Sequence, residues 1–318
     1  MMRKVLCVLA VSLIAAPAWA GSGDGMSLLG VSQASYVAPG GSYTGPGDIT
    51  TFTAWWGFRA YSAAKAAAGV NAANIRRASD SETCDFPVTS SGGLGNSKNC
   101  SGSDNGQSLS TFLNATTGAV TKMYDQTGNG WDIAQATAAN QPSITISCIN
   151  SQPCAQDTSG STVTLVASSN FTPSSGIVSF ATVAERATSS TNSTAFIREN
   201  GASGGNRLGP VGGSTNGWAL TGAASGAVNV TASDAAAHSS TGVVNGASSV
   251  LAIDGAESTG STTGSTTSGA PTWYSSSASA VTEYEAESGF TDNVAFSGTI
   301  RTNLCHNMRL YYGTSGSC

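Results

Sequence analysis

Between residues 162 and 296 every apolar segment is short, and clusters of Gly, Ser and Asn interrupt them at close intervals. A chain written this way has no room for long amphipathic helices and suits strands joined by tight turns. The candidate strands are Thr162 to Ala167, Ile177 to Ala184, Thr194 to Arg198, Trp218 to Thr221, Val228 to Thr231, Val250 to Ile253, and Val281 to Phe296 with a break near Ser288. Asp254-Gly255 directly follows Leu251-Ala252-Ile253 and predicts a two-residue hairpin turn. The Ser/Thr-rich stretch from Ser258 to Ala270 reads as a long surface loop. Many short strands at this spacing predict a mostly β sandwich.

The first half reads differently. Residues 21 to 50 are Gly- and Ser-rich and predict an irregular lead-in. Ala54 to Ala68 is Ala-rich, sets Trp55, Phe58 and Tyr61 at helical spacing, and stops at Gly69, which predicts one helix with a glycine C-cap. Ala73 to Asp80 and Ala119 to Gln126 read as strands. The second runs into the turn Thr127-Gly128-Asn129-Gly130 and then Trp131 to Ala136, with Asp125 placed to bond turn amides. Thr299 to Tyr312 reads as a C-terminal helix with Ile300, Leu304 and Met308 on one face and Gly313 as its stop.

At the N-terminus, Arg3 and Lys4 precede an apolar stretch ending at Ala15, and Pro17-Ala18-Trp19-Ala20 offers small residues for signal-peptidase cleavage after Ala20. The expected mature chain is one domain, residues 21 to 318, in a periplasm or outside the cell, with no membrane attachment after processing. Cleavage removes Arg3 and Lys4, leaving 11 of the 13 basic residues against 18 acidic ones, a formal charge of −7. That balance argues against a nucleic-acid partner, because Lys and Arg at phosphates dominate such affinity. Cleavage also removes Cys7 and leaves six cysteines. Their order suggests three local disulfides, Cys84 with Cys100, Cys148 with Cys154, and Cys305 with Cys318. Only two histidines occur, His238 and His306, and there is no Cys-x-x-Cys, so no metal site is expected.

Three segments carry a family resemblance: Ala60-Tyr61-Ser62, Ile75-Arg76-Arg77-Ala78-Ser79-Asp80, and Tyr124-Asp125-Gln126-Thr127-Gly128-Asn129-Gly130-Trp131-Asp132-Ile133-Ala134-Gln135-Ala136. In this order they resemble the N-terminal half of the arabinofuranosidase B catalytic domain, glycoside hydrolase family 54. The resemblance covers about 80 residues, from Ala60 to Gln141. It implies a concanavalin-like two-sheet β-sandwich, or jelly roll, with a short helix in the N-terminal half and one at the C-terminus. The implied activity is removal of terminal α-L-arabinofuranosyl groups from arabinan or arabinoxylan with retention of configuration, so the partner is a plant-type polysaccharide or related glycan. No cofactor is implied.

Retention requires two carboxyl groups about 5–5.5 Å apart. The family's nucleophile lies in an Asp-x-Glu-Asn-Gly segment. Arg198-Glu199-Asn200-Gly201 matches three of its residues, with Ile197 in place of the aspartate, so Glu199 is the candidate nucleophile. The family's acid/base loop, Gly-Gly-Asp-Asn, has no match before the last strands. The carboxylates nearest in order are Glu283, Glu285 and Glu287, which at period two would share one strand face. Glu285 is the candidate acid/base, with Glu283 and Glu287 as alternatives. Asn200, Asp125 and Trp218 are candidate substrate contacts. The family's adjacent cysteines are absent, and Leu113 and Gly118 stand where it has a short disulfide. Two other readings use the same sandwich: a non-catalytic sugar-binding domain with Trp131, Trp218 or Trp273 as stacking platforms, and an adhesive surface domain. No Gly-x-Ser-x-Gly elbow supports a serine hydrolase.

Overall fold

The computed structural model describes residues 43–157, 163–187, 195–200, 205–210, 217–222, 226–233, 235–275 and 282–318. The expected leader, residues 1 to 20, lies outside the described residues. The chain runs through β1 (Ala54–Gly57), α1 (Ala63–Ala68), β2 (Asn71–Arg77), β3 (Thr83–Pro87), α2 (Leu109–Leu113), β4 (Gly118–Met123), β5 (Ile133–Ala134), β6 (Ser143–Ile149) and β7 (Gln152–Asp157). It continues through β8 (Leu165–Ala167), β9 (Val178–Arg186), β10 (Ala195–Arg198), β11 (Arg207–Pro210), β12 (Gly217–Thr221), β13 (Ala227–Thr231), β14 (Ala237–Val244), β15 (Gly246–Ile253), β16 (Ala256–Thr262), β17 (Thr272–Ser275), β18 (Glu283–Asp292) and α3 (Gly298–Tyr312).

Two antiparallel layers face each other. One runs β6, β7, β18, β9, β14, β15, β16, with β1 also paired to β18. The other runs β5, β8, β17, β10, β11, β12, β13. Strand β4 pairs with both β5 and β6, so the layers join along one side into a barrel-like sandwich. The core between them includes Trp56, Ile75, Phe86, Met123, Phe180, Ile197, Leu208, Trp218, Trp273 and Phe290. A second apolar layer lies outside the β18–β9–β14 face, where Trp55, Ala181, Val183 and Val243 pack with Leu304, Met308, Tyr311 and Tyr312 of α3. Each of these central strands is therefore covered on both sides.

That double burial explains the main departure from the sequence reading. Ala54 to Gly57 is a strand, with Trp55 turned to the α3 side and Trp56 to the inner core, and only Ala63–Ala68 is helical. A strand buried on both faces reads as an unbroken apolar run, which periodicity does not separate from a buried helix. Gly289 permits the packing: a Cβ there would lie 2.2 Å from Cε3 of Trp55. The expected loop from Ser258 begins as β16, paired with β15 through the Asp254-Gly255 turn, where φ is +50° and +86°. Cys84 is bonded to Cys100, Cys148 to Cys154, and Cys305 to Cys318. No described helix is long and apolar enough to cross a membrane.

Strand β18 carries the three clustered acids, and they do not share a face. The register shifts between Glu285, opposite Ala184, and Glu287, opposite Val183. Ala184 belongs to the inner core and Val183 to the α3 side. A bulge at Ala286 therefore keeps Glu285 inside and turns Glu287 outward. There Glu287 accepts two hydrogen bonds from Arg59, each 2.6 Å, and the guanidinium carbon sits 4.8 Å from the Tyr311 ring centre and 5.3 Å from that of Tyr312. The break expected near Ser288 is this bulge, and the strand continues to Asp292.

A second buried charged group, His238, ties the start of β14 to the Asp254 turn. His238 faces the Asp254 carboxylate through Nδ1 at 2.5 Å and the Ser233 carbonyl through Nε2 at 2.7 Å. Both partners accept, so both ring nitrogens carry protons and the ring is an imidazolium. Burial opposes that charge, but the bonds to Asp254 and Ser233 and the charges of Asp254 and Glu185 outweigh it and raise the His238 pKa. Asp254 also accepts from the Ser239 backbone and hydroxyl, so the serine bonds the carboxylate and not the imidazole as a catalytic triad would require.

Two outcomes are expected. Glu287→Gln leaves Arg59 buried without its counter-charge and costs about 3–5 kcal/mol in chemical denaturation, whereas Arg59→Met with Glu287→Met costs much less. The His238 clamp contributes fully below about pH 6.5, the unfolded value, and its contribution is lost as pH rises through the raised folded-state pKa. Denaturation midpoints followed upward from pH 6 show this alkaline loss in the natural protein and lack it in His238→Gln.

Candidate active site

Strands β10 and β11 form a hairpin in which Ile197 faces Leu208 and Arg198 faces Arg207. Ile197 lies in the inner core, so Glu199, two residues on, projects to the same side. Its side chain is fully buried. Asn206 donates from Nδ2 to Glu199 Oε2 at 2.5 Å, and the Glu199 amide donates to the Asn206 carbonyl at 3.2 Å. The other carboxylate oxygen, Oε1, is buried with no hydrogen-bond partner among the described residues. Burial pushes the Glu199 carboxyl up to about 8, the Asn206 bond opposes the rise, and the charge of Asp292 adds to it. Burial thus favours the neutral acid form of Glu199 at neutral pH.

Neighbouring loops hold this arrangement. Asn206 Oδ1 accepts from the Ser265 amide at 2.9 Å, and Asn200 donates to the Thr267 carbonyl at 2.8 Å while its Oδ1 is buried without a partner among the described residues. The segment carrying Ser265 and Thr267 bridges to Phe171 through paired backbone bonds with Gly269. Gly264 meets Gly176 so closely that a Cβ on Gly264 would lie 1.9 Å from the Gly176 oxygen. Ser174, two residues before Gly176, donates its amide to both carboxylate oxygens of Asp292 at 2.9 and 3.2 Å. Asp292 lies opposite Val178, an inner-core residue, so it projects from the inner face of the facing layer at this same end.

The other expected site residues lie elsewhere. Glu285 is fully buried inside the sandwich, where Ser288 and Thr182 donate to its Oε1, and burial pushes its carboxyl well above the usual range. Glu283 lies opposite Arg186 and Asp157 at the far end of β18, nine residues and roughly 25–30 Å from Asp292. Glu287 is paired with Arg59 on the opposite face. Trp218 is 1% exposed, stacked near Phe196 and edge-on to His238, and Trp273 is fully buried, so neither offers a ring face to a sugar. Of the three tryptophans considered as platforms, Trp131 alone is partly exposed. Asp125 is occupied: its two oxygens accept from the amides of Trp55, Thr127 and Trp131 and from the Thr127 hydroxyl, which makes it the organiser of the Thr127–Gly130 turn. The one His/Cys/Asp/Glu grouping of metal-binding size among the described residues is Glu82, Cys84 and Cys100, whose sulfurs form a disulfide.

No protein-family model matches the chain. No curated protein matches it either. Among solved structures, a GH54 α-L-arabinofuranosidase soaked with a cyclic sulfate inhibitor matches 85% of this chain and 66% of its own, at 15% identity with a TM-score of 0.61. An arabinofuranosidase complexed with arabinofuranosyl-α-1,2-xylobiose matches 85% of this chain and 65% of its own, at 16% identity and TM-score 0.62. The chain shares their fold. It spans about two thirds of the length of these structures.

Asn206 and Asp292 are not picked out by the sequence reading. For Asn206 the signal is the mirrored order Arg198-Glu199 and Asn206-Arg207 on the two arms of one hairpin. For Asp292 it is an acid closing a strand that buries its inner face. Because Asn206 favours the charged carboxylate, Asn206→Ala is expected to raise the Glu199 pKa above about 8, read by 13C NMR titration of labelled glutamate. An unchanged titration would mean that the bond carries no electrostatic weight.

Proposed function

We propose that residues 21 to 318 form one exported, concanavalin-like sandwich domain with α-L-arabinofuranosidase activity. It removes terminal arabinofuranosyl groups from arabinan or arabinoxylan with retention of configuration, and Glu199 is a catalytic carboxyl group. One observation carries the reading: a buried carboxyl, its pKa raised to about 8 and one oxygen without a partner among the described residues, stands at one end of a sandwich with the fold of arabinofuranosidases. The leader read in the sequence and the three disulfides support export.

The resemblance casts Glu199 as the nucleophile, which must be ionised to attack. Its surroundings favour the opposite state. A carboxyl group held neutral at pH 7 by burial suits proton donation to a leaving oxygen, and the ionised member of such a pair is the better nucleophile. We therefore read Glu199 as the acid/base and Asn206 as the group that orients it. Trp218 and Trp273 lie in the core, which leaves Trp131 as the one partly exposed ring among the three platform candidates.

The test is arabinose release from arabinoxylan by the purified protein across pH. The kcat/KM is expected to fall as pH rises through about 8, where the free enzyme loses its donor proton, and Glu199→Gln to lower it by about 10²–10⁴-fold. No release by the natural protein would remove the enzyme reading. A rate that climbs through pH 8 would return Glu199 to the nucleophile role.

A further inference from the structure

The hairpin that carries Glu199 on its inner side carries two arginines on its outer side. Ile197 and Leu208 lie in the inner core, so their neighbours Arg198 and Arg207 point outward, directly opposite each other on β10 and β11 and both half-buried. Two threonines complete the row. Thr272 faces Arg198 from β17 and Thr221 faces Arg207 from β12, while Trp273 and Leu220 beside them turn to the inner core. Arg207 Nε donates to the Thr221 hydroxyl at 2.8 Å. Arg198 Nε and Thr272 Oγ1 are buried with no hydrogen-bond partner among the described residues. Like charges directly opposite on neighbouring strands repel. Burial lowers the pKa of both guanidinium groups, and the charge of Arg207 lowers that of Arg198 further. By contrast, Arg59 pairs with Glu287, Arg77 with Asp80, Glu82 and Asp104, and Arg301 with Glu257. Neither Arg198 nor Arg207 has a carboxylate partner among the described residues. From residue 188 to 231 the one acid in the sequence is Glu199, which points to the other face.

We propose that this outer row is a binding site for an acidic glycan, with Arg198 and Arg207 together holding the carboxylate of a uronic acid residue. The carboxylate supplies the counter-charge the pair lacks, and its planar geometry matches the guanidinium fork. A uronic acid also carries ring hydroxyls, which give Thr272 Oγ1 a partner. An inorganic anion supplies the charge without a sugar ring for the threonines that flank it. The chain carries 18 acidic residues against 13 basic ones, so its overall field repels polyanions and binding comes from this local pair. The choice of a glycan as the source of the carboxylate rests on the arabinofuranosidase reading; the need for an anion does not.

Carboxyl reduction isolates the charge. A xylo-oligosaccharide bearing glucuronic acid and no arabinose, and the same oligosaccharide with its carboxyl group reduced, are titrated into the natural protein by calorimetry. The charged form is expected to bind about ten- to hundredfold more tightly than the reduced form, and added salt to narrow the gap. Arg198→Gln with Arg207→Gln removes the difference, with a melting temperature no lower than that of the natural protein because the repelling pair is gone. Arg198→Lys with Arg207→Lys keeps the charges and part of the preference. Equal affinity for the two oligosaccharides, or a preference that survives in the glutamine variant, would overturn the site. Inorganic phosphate at matched ionic strength is expected to displace the charged form no better than chloride. Phosphate bound at the row with no preference for the charged oligosaccharide would assign it to a free anion and overturn the glycan. The ligand carries no arabinose and the readout is binding, so a protein that releases no arabinose and a protein that ignores the uronate are told apart.

Discussion

The buried ion pair between Arg59 and Glu287 fixes how the two halves of the chain meet. Glu287 stands opposite Gly57 in the β1–β18 pairing, and Gln126, near the start of the long motif from Tyr124 to Ala136, bonds the carbonyls of Gly57 and Arg59 and the amide of Tyr61. Tyr311 and Tyr312 of α3 cover the guanidinium. An ion pair with no water around it is stable only when its hydrogen bonds are made, and the fork of Arg59 meets both oxygens of Glu287. The bulge at Ala286 is the structural condition for this: in regular alternation Glu287 would point into the apolar core with Glu285.

The same bulge organises the candidate site. By reversing the alternation of β18 once, it keeps Glu283 and Glu285 inside on one side of the break and returns Ser288, Phe290 and Asp292 to the inner face on the other. Asp292 then reaches the end of the sandwich where Glu199 emerges from β10. Two close backbone approaches, Gly176 to Gly264 and Phe171 to Gly269, bring the connecting loops together beneath both carboxyl groups. The scaffold thus brings two acids from distant parts of the sequence to the same end of the sandwich, Glu199 buried and Asp292 partly exposed.

What the sequence reveals follows from what local pattern encodes. Strands β9, β10, β12, β13, β15 and β18 were legible as short apolar runs between turn residues, α3 by its helical period, and the Asp254-Gly255 turn by its demand for positive φ, whereas β11, β14, β16 and β17 were not read as strands. Asp125 was legible as a turn residue, because an aspartate before Gly-x-Gly has amides within reach. Ala54 to Gly57 was not, since burial on both faces erases alternation. A bulge leaves no period of its own, so Glu283, Glu285 and Glu287 looked like one row. The partnership of Glu199 with Asp292 spans 93 positions of chain and depends on loop packing that no short window contains. The family resemblance lies mainly in the scaffold of the first half, and the site had to be read from its own chemistry.

The most direct test of this account is a crystal structure of the Glu199→Gln variant soaked with 4-nitrophenyl α-L-arabinofuranoside. The sugar is expected at the end of the sandwich where Glu199 lies, with its glycosidic bond within about 3–3.5 Å of the position 199 side chain. A sugar bound on another surface, or one whose glycosidic bond lies beyond the reach of position 199, would contradict this reading.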